Sequence, residues 1–126
     1  SAAVADYRPK EVSTLKIKKD SSTFELGLVK TSDILTTLGQ KKKAGQILVG
    51  FALETDNEEA NAIKKLEKKN LDFIVLNSLN DQGGAFKNDN NKITIIDRDH
   101  HKESFDLKPK NEVAVDICKK VLNLLK

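Results

Sequence analysis

The chain has no tryptophan, no methionine, one cysteine and two prolines among its 126 residues. With Cys118 as its one thiol, no disulfide can close within the chain, and a reducing cytoplasm is the expected setting. Aromatic residues are 5% of the total, which gives few platforms for stacking bases. The 22 basic side chains are offset by 19 acidic ones, for a formal charge of +3, so no nucleic acid is expected as a partner. No apolar run approaches the roughly 20 residues of a membrane helix, so no membrane association is expected. The amino terminus lacks the pattern of a signal peptide. No GxSxG, HExxH, Walker A or GxGxxG motif occurs. His100 and His101 are adjacent in a turn-forming stretch with no zinc-spaced cysteines or acids nearby, so they read as turn residues and no protein-held metal is expected.

What is present fits one folded domain. Hydrophobic residues make up 38% and charged residues 33%, a balance that supports a core and a solvated surface. The small, apolar segment from Ala2 to Tyr7 reads as the tail of a buried strand running into a loop, which Arg8-Pro9 interrupts. A start at the exit of a strand suggests a part of a larger domain. Residues 24–29 alternate and read as a strand. Ser32 is placed to cap a helix carrying Ile34, Leu35 and Leu38 on one face, with Gly39 near its end. Residues 47–53 fit a strand covered on both faces. Thr55 or Asn57 is placed to cap a helix over 58–69, acidic in its first turn and basic in its last, as the helix dipole favours. Residues 73–76 form a further short buried strand, and 80–91 a polar loop. Residues 92–97 and 102–107 form a hairpin. Residues 111–125 form an amphipathic helix in which Cys118 reads as a core residue. Helices alternating with short apolar strands imply a three-layer, Rossmann-like α/β fold with a mostly parallel sheet, closed by a C-terminal hairpin and helix.

In such folds ligands sit outside the carboxyl ends of the strands. Ala5-Asp6-Tyr7, Leu53-Glu54-Thr55 and Asn77-Ser78-Leu79-Asn80 belong there. Two lysine clusters stand out. Lys16, Lys18 and Lys19 repel one another unless an anion lies between them. Lys65 and Lys69, four apart in the block Lys64, Lys65, Lys68, Lys69, share a helix face. Composition and spacing alone favour ordinary solvated surface for both clusters.

Read in order, several segments resemble the phosphopantothenoylcysteine synthetase family. They are Ala2-Ala3-Val4-Ala5-Asp6-Tyr7, Lys16-Ile17-Lys18-Lys19 and Thr31-Ser32-Asp33-Ile34-Leu35, then Val49-Gly50-Phe51-Ala52-Leu53-Glu54-Thr55, Lys69-Asn70-Leu71-Asp72 and residues 84–91. The resemblance spans nearly the whole chain, firmly to Ile96, and identifies residues 1–126 as the C-terminal part of such a domain. It implies a cytoplasmic ligase of coenzyme A biosynthesis that joins 4'-phosphopantothenate to cysteine, using CTP with Mg²⁺ through an acyl-cytidylate. It also implies a homodimer, with FMN confined to a fused decarboxylase domain that this chain does not contain. Ala2, Ala3 and Asp6 then approach the nucleotide. Lys16 becomes the catalytic lysine on phosphate, residues 18–23 a flap, and Ser32, Asp33, Ile34 and Leu35 the helix start that holds the nucleotide. Phe51, Lys65 and Lys69 complete the contacts. Given this resemblance, ligand contact becomes the better reading of both lysine clusters. Thr31-Ser32-Asp33 stands where the family often has Asn-Pro-Asp, and Leu53 replaces a common alanine. The family's N-terminal half, with its glycine-rich region and carboxylate-handling asparagine, has no counterpart here. The alternative is therefore a non-catalytic α/β dimerisation or nucleotide-binding fragment.

Overall fold

The computed structural model describes residues 4–18, 23–78 and 89–126. The chain divides into two compact units, Ser1–Ile34 and Leu35–Lys126.

In the first unit, β1 (Tyr7–Pro9) pairs antiparallel with β2 (Leu28–Lys30), Arg8 lying opposite Val29. Lys10 N–H donates to the Gly27 carbonyl at 2.8 Å and extends the ladder by one rung. The expectation that Arg8-Pro9 ends regular structure is corrected. Pro9 has no N–H to donate, but a two-stranded ribbon leaves one edge of each strand unpaired, and a proline is tolerated there. The strand expected over 24–29 is confined to Leu28–Lys30. Val12, Leu15, Ile17, Phe24 and Leu26, in the segment between the strands, are all exposed.

The second unit is built on a four-stranded sheet. Its strands are β3 (Val49–Glu54), β4 (Phe73–Ser78), β6 (Ile93–Asp97) and β7 (Lys102–Ser104), in the order β3-β4-β6-β7. Helix α1 (Ile34–Lys41) precedes β3, α2 (Glu58–Lys68) joins β3 to β4, and α3 (Lys110–Leu124) closes the chain. A short ribbon of β5 (Asn90–Asn91) and β8 (Lys108–Pro109) stands apart from the main sheet. β3 and β4 are parallel, whereas β4–β6 and β6–β7 are antiparallel. The expected mostly parallel sheet is therefore a mixed one. The helical crossover of α2 makes β3 and β4 parallel neighbours, whereas β6 and β7 each pair antiparallel with the strand before them.

The three layers follow from the period-2 alternation of the strands. Ala52, Ile74, Leu76 and Ile96 face one way and pack with Ala62 and Leu66 of α2, joined by Leu35 of α1. Phe73, Val75, Ile93 and Ile95 face the other way and pack with Val113, Ile117 and Val121 of α3. Cys118 is exposed, which corrects its reading as a core residue. It lies 100° round the helix from Ile117, off the i, i+4, i+8 ridge that meets the sheet. Asn57 takes the position before α2 in the left-handed region (φ 44°) and makes no side-chain cap.

The β6–β7 turn is held by Asp97. Its Oδ1 accepts from the backbone N–H groups of Asp99 (3.1 Å) and His101 (3.0 Å), and its Oδ2 accepts from Lys120 Nζ at 3.0 Å, tying α3 to the turn. Burial pushes the Asp97 carboxyl up. The hydrogen bond and charge of Lys120, with the two backbone donors, outweigh burial and hold its pKa below the ordinary value of 3.8. A carboxyl with a depressed pKa stabilises the fold above its unfolded-state pKa and loses that contribution as pH falls through the folded value. Asp97→Asn should therefore lower the melting temperature near neutral pH by about 4 °C, as expected for loss of one charge-assisted bond. The gap from the parent should shrink as pH drops below about 4. A gap that stays constant down to pH 2 would show that the charge of Asp97 is irrelevant.

Candidate functional site

The parallel pair β3–β4 ends in register, Glu54 opposite Ser78. This carboxyl edge is where open α/β sheets take their ligands. Glu54, the last residue of β3, has a carboxylate only 13% exposed that accepts a hydrogen bond from Lys65 Nζ at 2.5 Å. The α2 sequence dictates this meeting. Ala62 and Leu66 turn inward to the sheet, so Lys65 and Lys69 flank that ridge on one side. Glu59 flanks it on the other and pairs with Lys102 of β7. The lysine flank therefore lies toward β3, the terminal strand. Burial divides the basic block accordingly: Lys65 and Lys69 are half-buried, while Lys64 and Lys68 are exposed. The shared face expected from spacing is present. Lys69 sits just past the end of α2, its backbone N–H bonded to the Lys65 carbonyl at 3.1 Å.

Phe51 is placed differently. Alternation along β3 puts Gly50 and Ala52 on the α1–α2 side, and Val49, Phe51 and Leu53 on the α3 side. Val49 packs into the α3-side core, but Phe51 is 56% exposed. The strand expected to be covered on both faces thus has an open apolar stretch at Phe51 and Leu53. Phe51 and the Glu54–Lys65 pair lie on opposite faces of the strand, so Lys65 and Lys69 share one flank of α2 a turn apart, and the structure does not bring Phe51 to them.

In the first unit, Asp6 and the segment before α1 are brought together. The Asp6 carbonyl accepts the Thr31 backbone N–H at 2.9 Å, and the Ala5 carbonyl accepts the Thr31 hydroxyl at 2.6 Å. Ser32 and Asp33 follow directly, both exposed, and run into the first residue of α1, Ile34. A helix start leaves backbone N–H groups without intrahelical partners, which suits an anion. Leu35 is different in kind: its side chain belongs to the core of the second unit. Lys16 is exposed and follows a tight turn in which the Ser13 hydroxyl donates to the Leu15 carbonyl at 2.7 Å. Ala2 and Ala3, residues 19–22 of the expected flap, and Leu79 and Asn80 with most of the loop that follows, lie outside the described residues.

Glu54 carried no role in the sequence reading beyond its place after an apolar run. The signal that points to it is the spacing from strand end to Lys65 across one helix start. Among the described residues, one group has the donors to hold a cation: Asp97, Asp99 and His101. It lies at the opposite edge, where Asp97 pairs with Phe73, the first residue of β4, and Asp97 already serves the turn and Lys120. Mg²⁺ demands octahedral oxygen ligands and is commonly bound through substrate phosphates with few protein carboxylates. Asp97, Asp99 and His101 do not offer that all-oxygen donor set. Among the described residues, no helix is long and apolar enough to cross a membrane.

A parallel β–α–β unit with helices on both faces of a mixed sheet, and a lysine–carboxylate pair at the carboxyl edge, defines an open α/β domain. The chain belongs to the DNA/pantothenate metabolism flavoprotein C-terminal domain family, which matches residues 1–125. It is 52% identical over 125 residues to a cysteine/cysteine sulfinic acid decarboxylase of an unknown prokaryotic organism, covering 99% of this chain and 35% of that protein. It is 45% identical over 126 residues to the coenzyme A biosynthesis bifunctional protein CoaBC of Bacillus subtilis (strain 168), covering 100% of this chain and 31% of that one. The chain thus spans about a third of the length of these relatives. A solved C-terminal domain of CoaBC superimposes with a TM-score of 0.75 at 40% identity, over 98% of this chain and 54% of that one. The DNA/pantothenate metabolism flavoprotein of Streptococcus pneumoniae superimposes with a TM-score of 0.74 at 23% identity, a likeness of fold.

Proposed function

We propose that the chain is the C-terminal part of a phosphopantothenate–cysteine ligase acting in coenzyme A biosynthesis. The carboxylate of 4'-phosphopantothenate attacks the α-phosphorus of CTP, the bond to pyrophosphate breaks, and an acyl-cytidylate forms. The amine of cysteine then attacks the acyl carbon and CMP leaves. The observation that carries this reading is half-buried Lys65, whose ammonium group meets the carboxylate of Glu54, the last residue of β3, at the edge where such sheets bind ligands. Family membership supplies the substrate class.

The residues divide the work. Lys16, Lys65 and Lys69 stabilise charge as pyrophosphate departs, and a lysine on its flexible stem can follow a phosphate as it moves. The backbone at Ser32, Asp33, Ile34 and Leu35 receives phosphate at the start of α1. Asp6, tied to Thr31, sets the position of that segment. Ala2 and Ala3 frame the nucleotide, and residues 18–23 close over it and keep water from the acyl-cytidylate. Mg²⁺ enters with CTP and neutralises the triphosphate. The cytoplasm is the setting, where Cys118 remains a thiol. The exposed apolar side chains of the first unit that line one shallow pocket, Val12, Ile17, Phe24 and Leu26, support a homodimer, because apolar surface gathered in this way marks a protein contact.

The test is ligand-induced stabilisation. MgCTP at a hundredfold excess over its Kd should stabilise the chain by about 2.7 kcal/mol over the unliganded state, and the same concentration of MgATP should stabilise it less. Lys65→Ala, which leaves the 13%-exposed Glu54 carboxylate without its partner, should lower the unliganded melting temperature by about 4 °C and, measured well below melting, weaken CTP binding about tenfold, as loss of one charge-assisted phosphate contact implies. Equal stabilisation by the two nucleotides, or none, would overturn the assignment to CTP.

A further inference from the structure

We propose that Glu54 is the positioning residue for Lys65, holding its ammonium group at the carboxyl end of β3 so that it meets a phosphate without first being ordered. The inference rests on the reading of Lys65 as a phosphate contact and adds to it the residue that aims it. Three observations support it. The Glu54 carboxylate is only 13% exposed, whereas Lys65 is 44% exposed, so the acid is fixed in the fold and the base reaches from it into solvent. Glu54 ends β3 in register with Ser78, and its backbone is therefore held by the ladder with β4 rather than by a loop. Lys65 is one member of a block of four lysines, yet the half-buried side chains are Lys65 and Lys69, while Lys64 and Lys68 of the same helix are exposed.

The chemistry follows from the donor count. A lysine ammonium carries three N–H donors. One is spent on Glu54 at 2.5 Å, and two remain for an incoming anion. A free lysine loses close to 2 kcal/mol of rotamer freedom when it is immobilised. Prior bonding to Glu54 removes much of that cost from the binding step, as preorganisation does generally. A buried carboxylate also needs a partner, which keeps Lys65 in place when no ligand is bound. The acceptor's position, not its negative charge, is what the role requires. A neutral acceptor of the same shape should therefore serve as well, and it removes a charge that repels phosphate.

The experiment uses the full chain with CTP and inorganic tripolyphosphate as probes, in the parent and in Glu54→Ala, Glu54→Gln and Lys65→Ala. Glu54→Ala should weaken binding of both probes about fivefold. Glu54→Gln should bind at least as tightly as the parent. Amine acylation, read by mass spectrometry, should rise several-fold at Lys65 in Glu54→Ala and stay unchanged at Lys64 and Lys68, a readout that needs no ligand. Tighter or unchanged binding in Glu54→Ala, or unchanged acylation of Lys65, overturns the positioning role. Binding by Lys65→Ala that equals the parent overturns instead the reading of Lys65 as a phosphate contact, and the role of Glu54 falls with it. The two failures are distinguished by which variant keeps its affinity.

Discussion

Gly39→Ala should destabilise the second unit by about 3 kcal/mol, near the upper end for overpacking a tightly packed site. A melting temperature lowered by roughly 12 °C is the expected readout. In most helices this exchange is favourable, since alanine is the better helix former by about 1 kcal/mol. Here a Cβ on Gly39 would lie 2.0 Å from the Lys69 carbonyl oxygen and 2.8 Å from its carbonyl carbon. Both are backbone atoms at the end of α2, and no rotamer change can move them aside. The same junction is held from the other direction, because Asn70 Nδ2 donates to the Gly39 carbonyl at 3.0 Å. Asn70 itself sits at φ 52°, a conformation that asparagine tolerates better than most residues. Relief of the clash therefore requires α1 to separate from the end of α2, with loss of that hydrogen bond. A melting temperature equal to or above the parent's would show that the two helix ends part freely.

The sequence placed Gly39 near the end of α1, and in the structure it lies two residues before that end, inside the helix and buried. A glycine near a helix end and a glycine required by a close helix crossing look alike in one dimension, since the partner backbone lies 30 residues further on. Long-range pairing accounts for the other corrections as well. The apolar runs at β3, β4 and β6 were legible as strands, but nothing local distinguishes a parallel neighbour from an antiparallel one. That choice belongs to the connection: α2 crosses between β3 and β4 and so makes them parallel. The amphipathic helix at the C-terminus was legible within one residue at each end. Its inward ridge was not fully so, because Val115, Cys118, Leu122 and Leu125 form a second apolar stripe that remains exposed. At the candidate site, the Lys65–Lys69 face was readable from spacing, and their separation from Lys64 and Lys68 agrees with it. The carboxylate under Lys65 was not readable, since an acid after a strand is ordinary until the helix that follows is placed against it.

Asp72→Ala is expected to cost about 3 kcal/mol, because it removes one partner of a half-buried ion pair and the acceptor of a backbone N–H. The segment Lys69-Asn70-Leu71-Asp72 carries part of the family resemblance, and the structure gives its last residue a structural task at the edge away from the ligand side. Asp72 Oδ2 accepts from Lys42 Nζ and from the backbone N–H of Leu48 at 2.6 Å, while Oδ1 lies 3.3 Å from Arg98 Nε. The Asp72 N–H donates in return to the Leu48 carbonyl at 2.8 Å, so one residue locks the start of β4 to the approach of β3. Lys42 is only 8% exposed, and without Asp72 its charge has little water to replace the carboxylate. Arg98 retains its bonds to the Leu71 carbonyl (2.9 Å) and to Asn70 Oδ1 (2.7 Å), so the β6–β7 turn should stay docked while the α1–β3 connection loosens. Urea denaturation of Asp72→Ala, Lys42→Met and the double variant separates the terms. If the cost is that of an orphaned ammonium group, the double variant should recover about half of the loss, a coupling of roughly 1.5–2 kcal/mol between two residues in contact. Additive losses in the double variant would show instead that Asp72 stabilises the fold through the Leu48 N–H and Arg98 alone. Amide exchange adds a local reading: protection at Leu48 and Val49 should fall in Asp72→Ala more than protection at Ile95 and Ile96, which lie at the centre of the sheet.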